Sequence, residues 1–149
     1  MDRPQLDQLN IVSRDMEASI AFYRRLGVEI PDARIWRTKS GIHHVNADVE
    51  GEGPIDLDLD SEAFARMWNS GWQGRPDLGG KVVVGFKLPS REAVDATYAD
   101  MTGAGYAGLQ PPFDAFWGSR YAVVADPDGV AVGLMSPPSA DRRSPPPEV

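Results

Sequence analysis

The chain has 149 residues, enough for one domain with a real core, and its 42% hydrophobic and 25% charged residues are ordinary for a soluble globular protein. The absence of cysteine excludes disulfides, thiolate nucleophiles and Cys-ligated metals, and a net charge of -7 argues against an electrostatic grip on nucleic acid. No apolar run approaches a membrane span and the stretch MDRPQLDQLNIV lacks the apolar core of a signal peptide, so a cytoplasmic protein with a small-molecule or protein partner is expected.

The segment LNIVSRDMEASIAFYRRL (9–26) opens on a strand-like run and reaches Asp15, a good helix N-cap. A helix follows with Glu17 in its first turn, where the helix dipole favours negative charge. Met16, Ile20, Tyr23 and Leu26 recur at helical spacing and predict one buried stripe, which stops at Gly27. Three strand candidates come next, in ARIWRTKS, GIHHVNADVE and PIDLDLDS. The segment SEAFARMWNSGWQGRPDLGG (61–80) predicts a linker made of a short helix and a glycine-rich loop.

The chain then repeats itself. VGFKLPSREAVDATYADM (84–101) matches the first segment at a constant offset of 75, which sets Asp15 on Ser90, Glu17 on Glu92, Ala18 on Ala93, Ala21 on Ala96 and Tyr23 on Tyr98. The second helix stops near Gly103 and Gly105, and a short strand is expected near Ala107–Leu109. SRYAVVA and GVAVGLMS follow, joined by the turn Asp126-Pro127-Asp128-Gly129. The organisation is β-α-β-β-β twice, an α+β fold in a single domain over residues 1–137, with modules at about 5–60 and 81–137. Residues 138–149 carry too much proline and charge to fold and are expected to form a loose tail.

The strand–helix NIVSRDMEASIAFYRRLG and the closing WGSRYAVVADPDGVAVGLMSP resemble the vicinal oxygen chelate superfamily, the glyoxalase, bleomycin resistance protein and dioxygenase fold. The resemblance covers roughly residues 5–137. It implies two βαβββ modules whose curved mixed sheets surround a pocket, and a homodimer. It also implies metal-ligand places on the first and last strands of each module, which fall here on Gln8, Asp56, Val83 and Gly133. Glutamine and aspartate can bind a metal, whereas valine and glycine cannot, so no metal and no cofactor are expected.

Other catalytic equipment is thin. No G-x-S-x-G elbow, dinucleotide fingerprint or phosphate-binding loop is present. Asp56, Asp58 and Asp60 alternate with leucines and share one strand face, where a pocket position would make them general acids or bases; a solvent-facing edge is the equal alternative for Asp60. His43 and His44 are neighbours on a strand, so at most one enters a pocket.

Aromatic surface is plentiful, with four tryptophans. Phe113, Phe116 and Trp117 lie in PPFDAFWGSRY ahead of a pocket strand, and Ala131, Gly133 and Met135 share one face of the last strand, where small side chains leave room and methionine adapts. The expected ligand-binding set is Gln8, Asn10, Trp36, His43, Asp56 and Trp72 with Phe113, Phe116, Trp117, Tyr121, Gly133 and Met135, and no catalytic set is expected. The reading is a metal-free protein that sequesters a bulky, planar aromatic natural product, as resistance members of the superfamily do. The alternative is a natural-product or detoxifying enzyme, a lyase, isomerase or glyoxalase-like protein, using Asp or His as acid and base.

Overall fold

In the computed structural model, residues 8–47, 55–68 and 82–145 are described. The chain divides into two compact units, Met1–Pro76 and Asp77–Val149. The first contains β1 (Gln8–Ser13), α1 (Met16–Leu26), β2 (Ile35–Thr38), β3 (Gly41–Ala47), β4 (Asp56–Ser61) and α2 (Glu62–Trp68). The second contains β5 (Val83–Lys87), α3 (Arg91–Gly103), β6 (Gly108–Asp114), β7 (Arg120–Ala125) and β8 (Ala131–Met135). Each unit is one βαβββ module, and the architecture is α+β.

Local chemistry sets the element ends. Asp15 Oδ1 accepts from the Ala18 amide at 3.0 Å, and Ser90 Oγ accepts from the Ala93 amide at the same distance. Gly27 ends α1 in the left-handed conformation (φ 104°), with its amide on the Arg24 carbonyl and Val28 N–H on the Tyr23 carbonyl. In the β7–β8 turn the buried Asp126 carboxylate accepts from the Asp128 and Val130 amides at 2.8 and 2.9 Å.

Both sheets are mixed and four-stranded, ordered β1-β4-β3-β2 and β5-β8-β7-β6. The first and last strands of each module pair in parallel, Gln8 with Asp56 and Val83 with Ala131, so the 75-residue repeat holds in the strand register as well as in the helix caps. α1 lies on β3 and β4, over the face bearing Ile11, Val45, Leu57 and Leu59, and Ser13 Oγ meets Ser19 Oγ of α1 at 2.6 Å. α3 lies on β6, β7 and β8, where Ala122, Val124, Val132 and Leu134 are fully buried. Because strand side chains alternate, the opposite faces carry Gln8, Asn10, Asp56, Asp58 and Asp60 in one unit and Val83, Gly133 and Met135 in the other.

Two expectations need correction. The strand expected near Ala107–Leu109 extends to Asp114, so Phe113 is a strand residue paired with Tyr121 and not part of a loop. The segment following β8 is not loose over its described part. Ser139 N–H bonds the Gly118 carbonyl at 3.1 Å, Ser144 N–H bonds the Phe116 carbonyl at 2.9 Å, and Ala140–Arg142 make a 3-10 turn. Gly118 permits this approach, having φ 96° and no Cβ to strike the Ser139 carbonyl.

Candidate functional site

The face of the first sheet opposite α1 is polar and held by its own hydrogen bonds. β4 runs between β1 and β3, so the aspartate row is central in the sheet. Asp60 is fully buried and Asp58 nearly so, which overturns the edge-surface alternative for Asp60. Asn46 Nδ2 donates to Asp58 Oδ1 at 2.7 Å, and Asn10 Nδ2 donates to Asp60 Oδ2 at 2.7 Å. His44, directly opposite Asp60, has Nδ1 2.6 Å from Asp60 Oδ1. Gln8 and Asp56, paired across β1 and β4, are exposed.

The histidines divide as strand alternation requires, but the one on the aspartate face is His44 and not His43. His43 is held among hydroxyls, with Nε2 2.7 Å from Thr38 Oγ1 and 2.9 Å from Ser40 Oγ, and Nδ1 3.2 Å from Ser61 Oγ. The sequence carried a signal for this. Val45 and Ala47 share the parity of His43, but the buried Ile42 has the parity of His44, so the signal was divided until the strand pairing was known. Phe64 of α2 stands edge-on to His44 (5.7 Å) and to Trp36 (5.2 Å), and Trp36 is also 5.1 Å from His43. Phe64 was not anticipated; it sits three residues beyond the end of β4, where its amide bonds Ser61 Oγ.

The second unit gathers the other aromatics. Trp117 is edge-on to Phe113, Phe116 and Tyr121, with centroids 6.4, 5.2 and 5.7 Å away, and Phe113 meets Tyr121 at 6.1 Å. Phe113 and Phe116 are 37% and 39% exposed. Tyr121 pairs with Met135 across β7 and β8, and a Cβ at Gly133 would lie 2.7 Å from the Tyr121 hydroxyl. Gly133 therefore does not leave open room for a ligand. The phenol of Tyr121 fills that space, and ring surface is what the face presents. Asp114 and Arg120 close the β6–β7 end, with Arg120 Nε on Asp95 Oδ1 at 2.8 Å and Nη1 on Asp114 at 3.2 Å. The Asp95 hydrogen bond, opposed by some desolvation, raises the already high pKa of Arg120 and keeps it cationic. Trp72 lies outside the described residues.

The metal places implied by the resemblance do not fit a metal. The register equates Gly133 with Asp58 rather than Asp56, and Asp58 is already engaged by Asn46. The corresponding places in the second unit, Val83 and Gly133, offer no donor, and the nearest groups to a Cβ at Gly133 are the Tyr121 ring and a Val83 methyl. Among the described residues no three His, Asp or Glu side chains converge as a metal would require.

A family model described as the Glyoxalase/Bleomycin resistance protein/Dioxygenase superfamily matches residues 5–134. A glyoxalase/bleomycin resistance protein/dioxygenase from Nocardioides is 22% identical, with a TM-score of 0.69 over 100% of this chain and 91% of that one. A glyoxalase-related enzyme from Fulvimarina pelagi is 20% identical, with a TM-score of 0.70 over 92% and 94%. TnmS3, an antibiotic binding protein from Streptomyces sp. CB03234, is 21% identical, with a TM-score of 0.61 over 92% and 98%. At these identities the likeness is one of fold, and no curated protein matches the chain in sequence. With a family model spanning most of its length and the module repeated in both units, the chain belongs to the glyoxalase/bleomycin resistance protein/dioxygenase superfamily.

Proposed function

We propose that this protein binds a bulky, planar aromatic small molecule, without a metal, and acts by sequestering it. The observation that carries this reading is the ring cluster of the β6–β7 hairpin. Trp117 stands edge-on to Phe113, Phe116 and Tyr121, and Phe113 edge-on to Tyr121, with Phe113 and Phe116 exposed. Aromatic rings gain most from burial against another flat apolar surface, and edge-on neighbours hold them in place beforehand. The reading is supported by a superfamily relative of the same fold, TnmS3, being an antibiotic binding protein. We further propose that the chain works as a cytoplasmic homodimer, which light scattering would show as a mass of about twice 16.2 kDa.

The test is fluorescence titration with planar quinones and aromatic polyketides. Binding should quench tryptophan emission, and the quench should shrink in Trp117→Phe. Phe116→Ala removes an exposed ring whose ring contact among the described residues is with Trp117, so it should weaken binding about five- to two-hundred-fold, a loss of about 1–3 kcal/mol, with little change in stability. Unchanged affinity in Phe116→Ala and Trp117→Ala for every ligand that binds the parent would refute the reading.

A further inference from the structure

The first unit contains a side-chain group that ligand stacking does not use. Reading across β1, β4, β3 and β2, the register places Val12, Asp60, His44 and Trp36 in one line. Asp60 is fully buried, with one carboxylate oxygen taken by His44 Nδ1 at 2.6 Å and the other by Asn10 Nδ2 at 2.7 Å. His44 is about one third exposed (32%), and its Nε2 has no partner among the described residues. A buried carboxylate on Nδ1 selects the tautomer with the proton on Nδ1, which leaves the Nε2 lone pair free and facing outward. A surface ion pair would be exposed at both ends, but here only the imidazole end is open.

From this geometry we infer that His44 is a general base, with Asp60 and Asn10 as its positioning residues, acting on a planar aromatic carbonyl compound. Trp36, 45% exposed, and Phe64, edge-on to both Trp36 and His44, supply the flat apolar border that selects such a molecule. His44 Nε2 takes the proton from the carbon next to the carbonyl, and the C–H electron pair moves onto the carbonyl oxygen as an enolate. Where a carbon–carbon double bond extends the enolate, the imidazolium beside Asp60 returns that proton to the far carbon of the extended system, and the double bond moves into conjugation with the carbonyl. The net reaction is an isomerisation: one C–H bond breaks, one forms, and no co-reactant is consumed. The residues belong to a different unit from the ring cluster of the proposed binding function, so either assignment can fail alone.

The probe is nitrobenzisoxazole, a planar aromatic carbon acid that needs only a base. Loss of its ring proton breaks the N–O bond, and the electrons end on the oxygen of a coloured cyanonitrophenolate. The parent should open the ring saturably, and His44→Gln should lose about a hundredfold or more of that rate. Asp60→Asn should lower kcat with KM little changed and should weaken the preference for the proton on Nδ1 of His44, because the carboxylate that selects that tautomer is gone. A merely structural Asp60 would leave that preference in place. Trp36→Ala should raise KM more than it lowers kcat. Nitrogen NMR of the parent gives a readout that needs no variant to fold: Nδ1 of His44 should carry the proton and Nε2 should not. No ring opening by the parent above buffer, a His44→Gln protein as active as the parent, an unchanged tautomer preference in Asp60→Asn, or the proton on Nε2 in the parent would each overturn the assignment.

Discussion

Gly133→Ala measures how tightly the second unit is built around Tyr121. The added methyl would lie 2.7 Å from the Tyr121 hydroxyl, 3.2 Å from its Cε2 and 3.2 Å from a Val83 methyl. Side-chain atoms of Tyr121 and Val83 can shift, but the Tyr121 ring is already edge-on to Phe113 and Trp117, at 6.1 and 5.7 Å. Moving it weakens two aromatic contacts worth about 0.5–1.5 kcal/mol each, consistent with the 1–3 kcal/mol typical of overpacking. For a chain of this size such a loss lowers Tm by about 2–10 °C. Calorimetry or urea denaturation reads it directly, and Tyr121→Phe in the same background should recover part of the loss by removing the atom in closest conflict. If Gly133→Ala is as stable as the parent, or if Tyr121→Phe gives no recovery, the phenol does not occupy the space beside Gly133.

Trp117→Ala strips three edge-on partners at once and should cost about 2–4 kcal/mol of stability in urea denaturation, unlike the near-neutral Phe116→Ala. Gly118→Ala should strain a left-handed residue and push its Cβ into the Ser139 carbonyl, so limited proteolysis should cut beyond residue 138 faster. Asp15→Ala and Ser90→Ala should each cost about 1 kcal/mol by leaving a first-turn amide unpaired. The Ser139 hydroxyl bonds the Asp141 carboxylate and holds its pKa below the ordinary 3.8. A depressed folded pKa stabilises above the unfolded value, so this contribution is present above about pH 4 and is lost as the pH falls further. Protection factors of the Ser139–Ser144 amides, taken relative to their intrinsic exchange rates, should fall over that range in the parent, and Ser139→Ala should flatten the response.

What the sequence revealed follows the range of the forces involved. Caps, the Gly27 stop and the Asp126 turn are set by residues a few positions apart, and they were visible in the string, as was the repeat once the two halves were aligned. The burial of Asp60 was not, because it depends on β4 lying between β1 and β3, a pairing between distant segments. The occupant of the space beside Gly133 was hidden for the same reason, as was the seating of the 139–144 segment on Gly118 and Phe116. Alternation along β3 left the choice between His43 and His44 open, because the buried Ile42 stands on the parity opposite to Val45 and Ala47, and the pairing of His44 with Asp60 decides it.

The shared register of the two modules has an evolutionary meaning. His44 opposite Asp60 and Tyr121 opposite Met135 occupy the same lattice point of the duplicated sheet, as do Asn46 with Asp58 and Val123 with Gly133. Backbone pairing fixes the frame and is indifferent to the side chains that project from it, so after duplication one copy can lose its proton-carrying groups at no cost to the strands. Here one copy carries carboxylates and an imidazole and the other carries rings, methyls and bare backbone. Divergence on such a frame proceeds by exchanging pairs across strands, since a carboxylate left facing methionine would be stranded without a donor. Chimeras of this protein should therefore tolerate Met135→Asp best together with Tyr121→His, and relatives that differ at one of these positions should differ at its partner too.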